Sequence, residues 1–176
     1  MTTEHTPGGL IGRSVRRVED PVLITGKGCY VDDVQLSGIL HMVFRRSPHP
    51  HANILSVQTS AARAMPGVVT VVTGDDLREG LHVPVPPLVP GMKIPPHPLL
   101  ARGAVHAAGT RVAAVVAHSR ALAQDAANAI AVEYAALPAV VNAEKALEPG
   151  APLAREELDS NICYTVTRKG GDVDHY

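Results

Sequence analysis

Aromatic side chains are nearly absent: one Phe, four Tyr and no Trp among 176 residues. Any core must therefore be built from Ala, Val, Leu and Ile, and small side chains fill space only where backbone elements approach closely. Cysteine is equally scarce. Cys29 and Cys163 are too distant in sequence for a CxxC redox or zinc pair, and two thiols exclude a disulfide-rich secreted scaffold. No run approaches the ~18 apolar residues of a membrane-spanning helix, and the opening MTTEHTPGGLIGRSVRR lacks the apolar stretch of a secretory leader. Neither sign of charge dominates. With 16 basic and 17 acidic residues the net charge is −1, which gives no general electrostatic reason to seek nucleic acid or an anionic membrane. The expectation is a soluble, cytoplasmic protein.

What is present is a chain long enough for one domain of ordinary size. Residues 1–20 are polar, without sustained period, and read as an N-terminal arm. ILHMVFRR, residues 39–46, reads as a strand covered in part on both faces. In NILSVQT the alternation predicts a half-exposed strand with Leu55 and Val57 on its inner face. Ser60 is placed to cap a short Ala-rich helix that Pro66-Gly67 ends. VVTVVT is a strand by β-branching, and Thr73 stands three before Asp76, the spacing of a capping box. Seven of the fifteen prolines lie in 81–98, which predicts a long extended loop. RVAAVVA, 111–117, is a short continuous apolar run, the mark of a central strand buried on both faces. Ser119 then caps the main helix, near 119–130, whose Leu122, Ala126, Ala129 and Ile130 share one face. VEYA follows as a strand, a short helix is expected at 143–147, and ICYTVT reads as a last strand. Irregular alternation of this kind, with no fixed repeat, points to an α+β fold with a mixed sheet.

Catalytic constellations are lacking. There is no GxSxG, HExxH, GxxxxGK[ST] or EF-hand loop. TGKG at 25–28 lacks the strand, third glycine and helix that would aim amides at a phosphate, so a tight turn is the better reading. His49-Pro50-His51 is the densest of the histidine pairs, but no third ligand stands at regular spacing, and a packed bend is favoured. His41 and His118 read as structural. Asp32-Asp33 and Asp75-Asp76 read as turn and cap residues. Lys93, between Met92 and Ile94, superficially resembles the attachment lysine of a biotin or lipoate carrier, but its flanks are Gly91 and prolines rather than two strands. Cys29 and Cys163 have no neighbouring base in sequence and read as inert thiols. No catalytic, cofactor-binding or metal residue is assigned.

One ordered series of segments goes further. RVEDPVLITGKGCYVDDVQLSGILHMVFRRSPHPHANILSVQTSAARAMPGVVTVVTGDDL, residues 17–77, resembles the opening of the molybdenum-binding subunit of the xanthine dehydrogenase, aldehyde oxidase and carbon monoxide dehydrogenase (large chain) family. That family's pattern is TGxAxYxxD, then LHxxxxRSPxxHAxI, then PGVxxVxTxxDL. Thr25, Gly26, Tyr30 and Asp33 or Asp32 fit the first segment. Leu40, His41, Arg46, Ser47, Pro48, His51, Ala52 and Ile54 fit the second, and Pro66, Gly67, Val68 and Leu77 the third. Gly109, the stretch from Val112 to Leu147, and GDVD at 171–174 continue the match. Gly28 in place of alanine and Thr110-Arg111 after the glycine depart from the pattern.

The resemblance implies an α/β-hammerhead domain over 21–148, with an exit segment at 149–176 that would lead to a missing molybdopterin-binding domain. It implies a structural or assembly role within a molybdenum hydroxylase, catalytically inactive alone. Molybdopterin is expected in the missing or partner domain. The expected partners are a molybdopterin-binding chain or domain, with FAD and iron–sulfur subunits as further candidates, and no nucleic acid or membrane. The alternatives are a free-standing interaction module that uses loop 81–98, or a non-functional remnant.

Overall fold

A computed structural model describes residues 9, 10 and 12–171. Asp172 to Asp174 of the GDVD segment, and much of the start of the 1–20 arm, lie outside the described residues. The backbone divides into two compact units, Met1–Ile39 and Leu40–Tyr176.

In the first unit, Pro21 opens a five-residue helix, α1 (Asp20–Ile24), as suits a residue with fixed φ and no N–H to lose. Thr25 Oγ1 donates back to the Pro21 carbonyl over 2.6 Å, and Gly26 at φ 69° reverses the chain. TGKG is thus the turn that closes α1. A 3-10 turn, Val31–Asp33, follows, and its Asp33 carboxylate accepts the Tyr30 N–H over 2.9 Å. No described residue of this unit is buried.

The second unit is organised around the run RVAAVVA. Its strands are β1 (His41–Arg46), β2 (Ala52–Gln58), β3 (Val68–Thr73), β4 (Ala104–Val105), β5 (Arg111–Ala117) and β6 (Ala131–Ala136). Its helices are α2 (Ser60–Arg63) and α3 (Arg120–Ala129). β5 lies between β1 and β3 in one sheet, and β2 lies between β4 and β6 in the other. Every pairing is antiparallel. This corrects the expected mixed sheet. A parallel neighbour needs a crossover within one sheet, and α3, the one helix long enough for that, joins β5 to a strand of the other sheet.

The two faces of β5 serve two clusters, which is why its sequence is apolar after Arg111. Ala113 and Val115 pack with Ala62, Val71, Ala126, Ala127 and Ile130. Val112 packs with Ala52, Ala101 and Val105. Alanines facing one another let α3 lie close on the sheet, which replaces the missing aromatic volume. Ser119 caps α3 as expected, its side chain accepting the Leu122 N–H over 3.2 Å. Gly67, at φ 85°, could not carry a Cβ without meeting Leu122 Cδ2 at 2.6 Å.

Four local expectations are corrected. Leu55 is 61% exposed, because the β2–β6 register shifts between Ile54 and Ser56. The bulge leaves Leu55 unpaired and turned outward, so Ile54 and Val57 supply the inner face. Thr59, not Ser60, is the N-terminal boundary of α2, and it makes no side-chain cap; its hydroxyl instead accepts from Arg63 Nε over 3.0 Å. The turn near 143–147 is a 3-10 turn, Lys145–Leu147. ICYTVT forms no strand; the Cys163 carbonyl instead accepts the Lys93 N–H of the proline-rich loop. Thr73 and Asp76 do form the expected box, with the Asp76 carboxylate accepting both the Thr73 N–H (2.7 Å) and hydroxyl (2.8 Å).

Candidate functional site

The segment Arg46 to His51 carries the chain from one sheet to the other, and its side chains explain how so abrupt a turn holds. Ser47, 3% exposed, accepts the His49 N–H on its hydroxyl over 3.0 Å. Its own N–H donates to the Thr110 carbonyl over 2.9 Å, and its carbonyl accepts the Gly109 N–H over 2.8 Å. The Arg46 guanidinium donates to the Gly109 carbonyl over 2.8 Å. Gly109 sits at φ 85°, in the left-handed region that favours glycine. Residues quoted above from two remote segments thus meet in one junction.

His51 lies just past that turn and is 5% exposed. Its carbonyl accepts the Leu137 N–H over 3.0 Å, and its Nδ1 lies 2.8 Å from the Pro138 carbonyl. A carbonyl oxygen only accepts, so Nδ1 carries the proton and Nε2 faces the other way. There Nε2 stands 2.8 Å from Glu156 Oε1 without an aligned hydrogen bond. The second histidine arrives by strand register. Ala52 pairs with Val105, so one step further along the antiparallel pair His51 faces His106, with ring centroids 5.3 Å apart. His106 Nδ1 is 3.8 Å from Glu156 Oε2, and it too is buried without a hydrogen-bond partner.

Burial pushes the His106 imidazole below its ordinary range, and the Arg155 charge adds to this. Its own backbone N–H holds the Glu156 carboxyl below the usual carboxylate range, with His51 and His106 acting in the same direction. His51, His106 and Glu156 offer three ligand atoms within 4.8 Å of one another. Glu156 belongs to a segment tied back elsewhere: Arg155 donates to the Pro96 carbonyl, Lys93 Nζ pairs with Asp159, and the Lys93 N–H donates to the Cys163 carbonyl over 2.9 Å.

The remaining candidates stay apart from this cluster. His49 packs against Tyr134 with the rings tilted by 56° and centroids 4.9 Å apart. His41 lies on β1, and His118 leads into α3 with its N–H donating to Gly67. Asp33 and Asp76 cap turns, and Asp75 pairs with Arg102 at 3.3 Å. Lys93 is not flanked by two strands. Cys29 and Cys163 are both exposed. Sequence reading missed His106 and Glu156. β4 has two residues and no period to reveal it, and Glu156 lies in irregular backbone.

A concavity of about 610 Å³ opens beside His106 and is lined also by Arg102, Arg111 and Arg155. TGKG, the phosphate-loop fragment of the sequence, follows a five-residue helix as a tight turn.

Two sheets linked by a buried polar turn, with a single substantial helix, define an α/β-hammerhead domain. The family model described as "Aldehyde oxidase and xanthine dehydrogenase, a/b hammerhead domain" matches residues 25–138, and the chain belongs to that family. The nicotine 6-hydroxylase large subunit of Paenarthrobacter nicotinovorans is 38% identical over 168 residues, 94% of this chain and 20% of that protein. The carbon monoxide dehydrogenase large chain of Afipia carboxidovorans is 43% identical over 153 residues, 86% of this chain and 18% of that one. Among solved structures, quinoline 2-oxidoreductase from Pseudomonas putida 86 superimposes with a TM-score of 0.78 at 45% identity, over 87% of this chain and 20% of that one. The chain therefore spans about a fifth of the length of these relatives. Among the described residues no helix is long and apolar enough to cross a membrane.

Proposed function

We propose that this chain is the scaffold and docking portion of a molybdenum hydroxylase-type large subunit, without catalytic activity of its own. Molybdopterin belongs, in this reading, to the remaining or partner polypeptide, where it supplies the redox chemistry for an aldehyde, purine or related small molecule. FAD and iron–sulfur subunits are further partners of the assembled enzyme. Residues of this chain bind, brace and cover.

The observation that carries the reading is the amount of apolar surface left bare by a chain that matches only a fifth of its relatives. Val18, Val31 and Ile24 stand 91%, 90% and 83% exposed, in a unit with no buried residue among those described. A segment of that composition gains its stability by being covered. Co-expression with a polypeptide encoding the rest of the large subunit tests this: the two are expected to co-purify, and Val18→Asp with Ile24→Asp and Val31→Asp to weaken the association. Independent migration of both chains, or association indifferent to these charges, would contradict the proposal.

A free-standing module that presents loop 81–98 to a partner is the weaker reading. That loop is already engaged, through Lys93 and Pro96, by the segment carrying Arg155, Asp159 and Cys163.

A further inference from the structure

The histidine–glutamate cluster is not used by the docking role, and its geometry calls for a proton or a cation between His51 and Glu156. His51 Nδ1 is committed as a donor to Pro138, at 2.8 Å. With Nδ1 as the donor, Nε2 faces an acceptor-only carboxylate oxygen 2.8 Å away, with either a lone pair or the second N–H of an imidazolium. Two acceptors at that distance repel unless a cation or a second proton lies between them. His106 Nδ1, buried and without a hydrogen bond, faces the other oxygen of the same carboxylate at 3.8 Å. We propose that His51 Nε2, His106 Nδ1 and the Glu156 carboxylate form a binding site for a divalent transition-metal ion of the zinc type, with a further position left to water.

The donor set matches that ion. Two imidazoles and one carboxylate suit Zn²⁺, whereas Mg²⁺ and Ca²⁺ favour oxygen ligands alone. Tetrahedral bonds of about 2.0–2.1 Å place neighbouring donors roughly 3.3 Å apart; His51 Nε2 and His106 Nδ1 lie 2.8 and 3.8 Å from the two Glu156 oxygens, and the three ligand atoms lie within 4.8 Å of one another. Side-chain rotation of Glu156, 55% exposed, can equalise the two distances to its oxygens. The hydrogen bond from His51 to a carbonyl is the outer contact that orients a ligating imidazole and fixes its tautomer.

Arg155 opposes a cation beside His106, but Glu157 pairs with it at 3.7 Å, and the Glu156 carboxylate supplies negative charge at the site itself. The framework is preformed on the histidine side, because β2–β4 pairing fixes His51 and His106 opposite each other. Glu156 comes from the segment beyond residue 149, so a bound ion would staple that segment to the end of the second sheet. The site needs no partner chain, and it stands or falls independently of the docking role.

The test is a zinc titration of the untagged, chelator-treated chain against a chromophoric zinc indicator at slightly alkaline pH, with Mg²⁺ as a parallel arm and Co²⁺ as a spectroscopic substitute. The expected result is one saturable equivalent of Zn²⁺, no competition from Mg²⁺, and visible Co²⁺ absorption of tetrahedral intensity. Glu156→Gln and His106→Gln should each weaken binding by about tenfold or more, while His118→Gln, altered at an exposed histidine, should bind as the parent does. Glu156→Gln is the decisive variant because its side chain is half exposed, and its circular dichroism should match that of the parent. Absence of saturable binding up to millimolar zinc, equal competition by Mg²⁺, or unchanged affinity in a folded Glu156→Gln protein would overturn the proposal.

Discussion

Arg46 and Gly109 are joined by a guanidinium-to-carbonyl hydrogen bond of 2.8 Å across 63 positions of sequence. The bond ties the end of β1 to the loop entering β5, and Ser47 accepts the Gly109 N–H beside it. The left-handed turn at Gly109 thus presents both its amide and its carbonyl to the junction.

Two glycines should respond differently to alanine. A Cβ at Gly109 meets nothing within 4 Å, so only its positive φ resists substitution; Gly109→Ala should cost about 1–2 kcal/mol. At Gly74 a Cβ would lie 2.3 Å from the Ala101 carbonyl oxygen, which is backbone and cannot step aside. Gly74→Ala should cost about 3 kcal/mol, and urea unfolding of the two variants should rank them in this order.

The bulge in β2 makes a second contrast. Leu55 points outward, so Leu55→Ala should stay within about 0.5 kcal/mol of the parent. Ile130, fully buried against Val115 and Ala126, should lose about 2–4 kcal/mol on substitution by alanine. Equal losses at the two positions would return Leu55 to the inner face.

Acid should act on the Thr73–Asp76 box. The backbone and hydroxyl donors of Thr73 hold the Asp76 carboxyl below its ordinary 3.8. The folded state therefore binds fewer protons there than the unfolded state, and the stabilisation is present above about pH 3.8 and lost as pH falls through the lower folded value. Asp76→Ala should cost about 1 kcal/mol at neutral pH. Parent and variant should converge in stability in strong acid, as measured by denaturant midpoints across pH.

The legible parts of this fold were those with a local cause. RVAAVVA had to be buried on both faces because nothing after Arg111 in it is polar, and Ser119 precedes a helix whose apolar positions recur every third or fourth residue. Leu55 misled because a bulge shifts the strand's period without leaving a mark in the alternation. ICYTVT misled because a strand-like pattern needs a partner strand, and pairing is not a local property. The His51–His106–Glu156 cluster was illegible for a related reason: a two-residue strand sets the register between the histidines, and the glutamate lies in irregular backbone.

The account turns on this domain bracing chemistry that another polypeptide performs. The most direct measurement is molybdenum content and turnover of an aldehyde or purine by the purified chain, set beside the complex formed on co-expression with the rest of the large subunit. The expected result is no molybdenum and no turnover in the chain alone, with both present in the complex. Molybdenum retained by the isolated chain, together with unaided substrate oxidation, would contradict it.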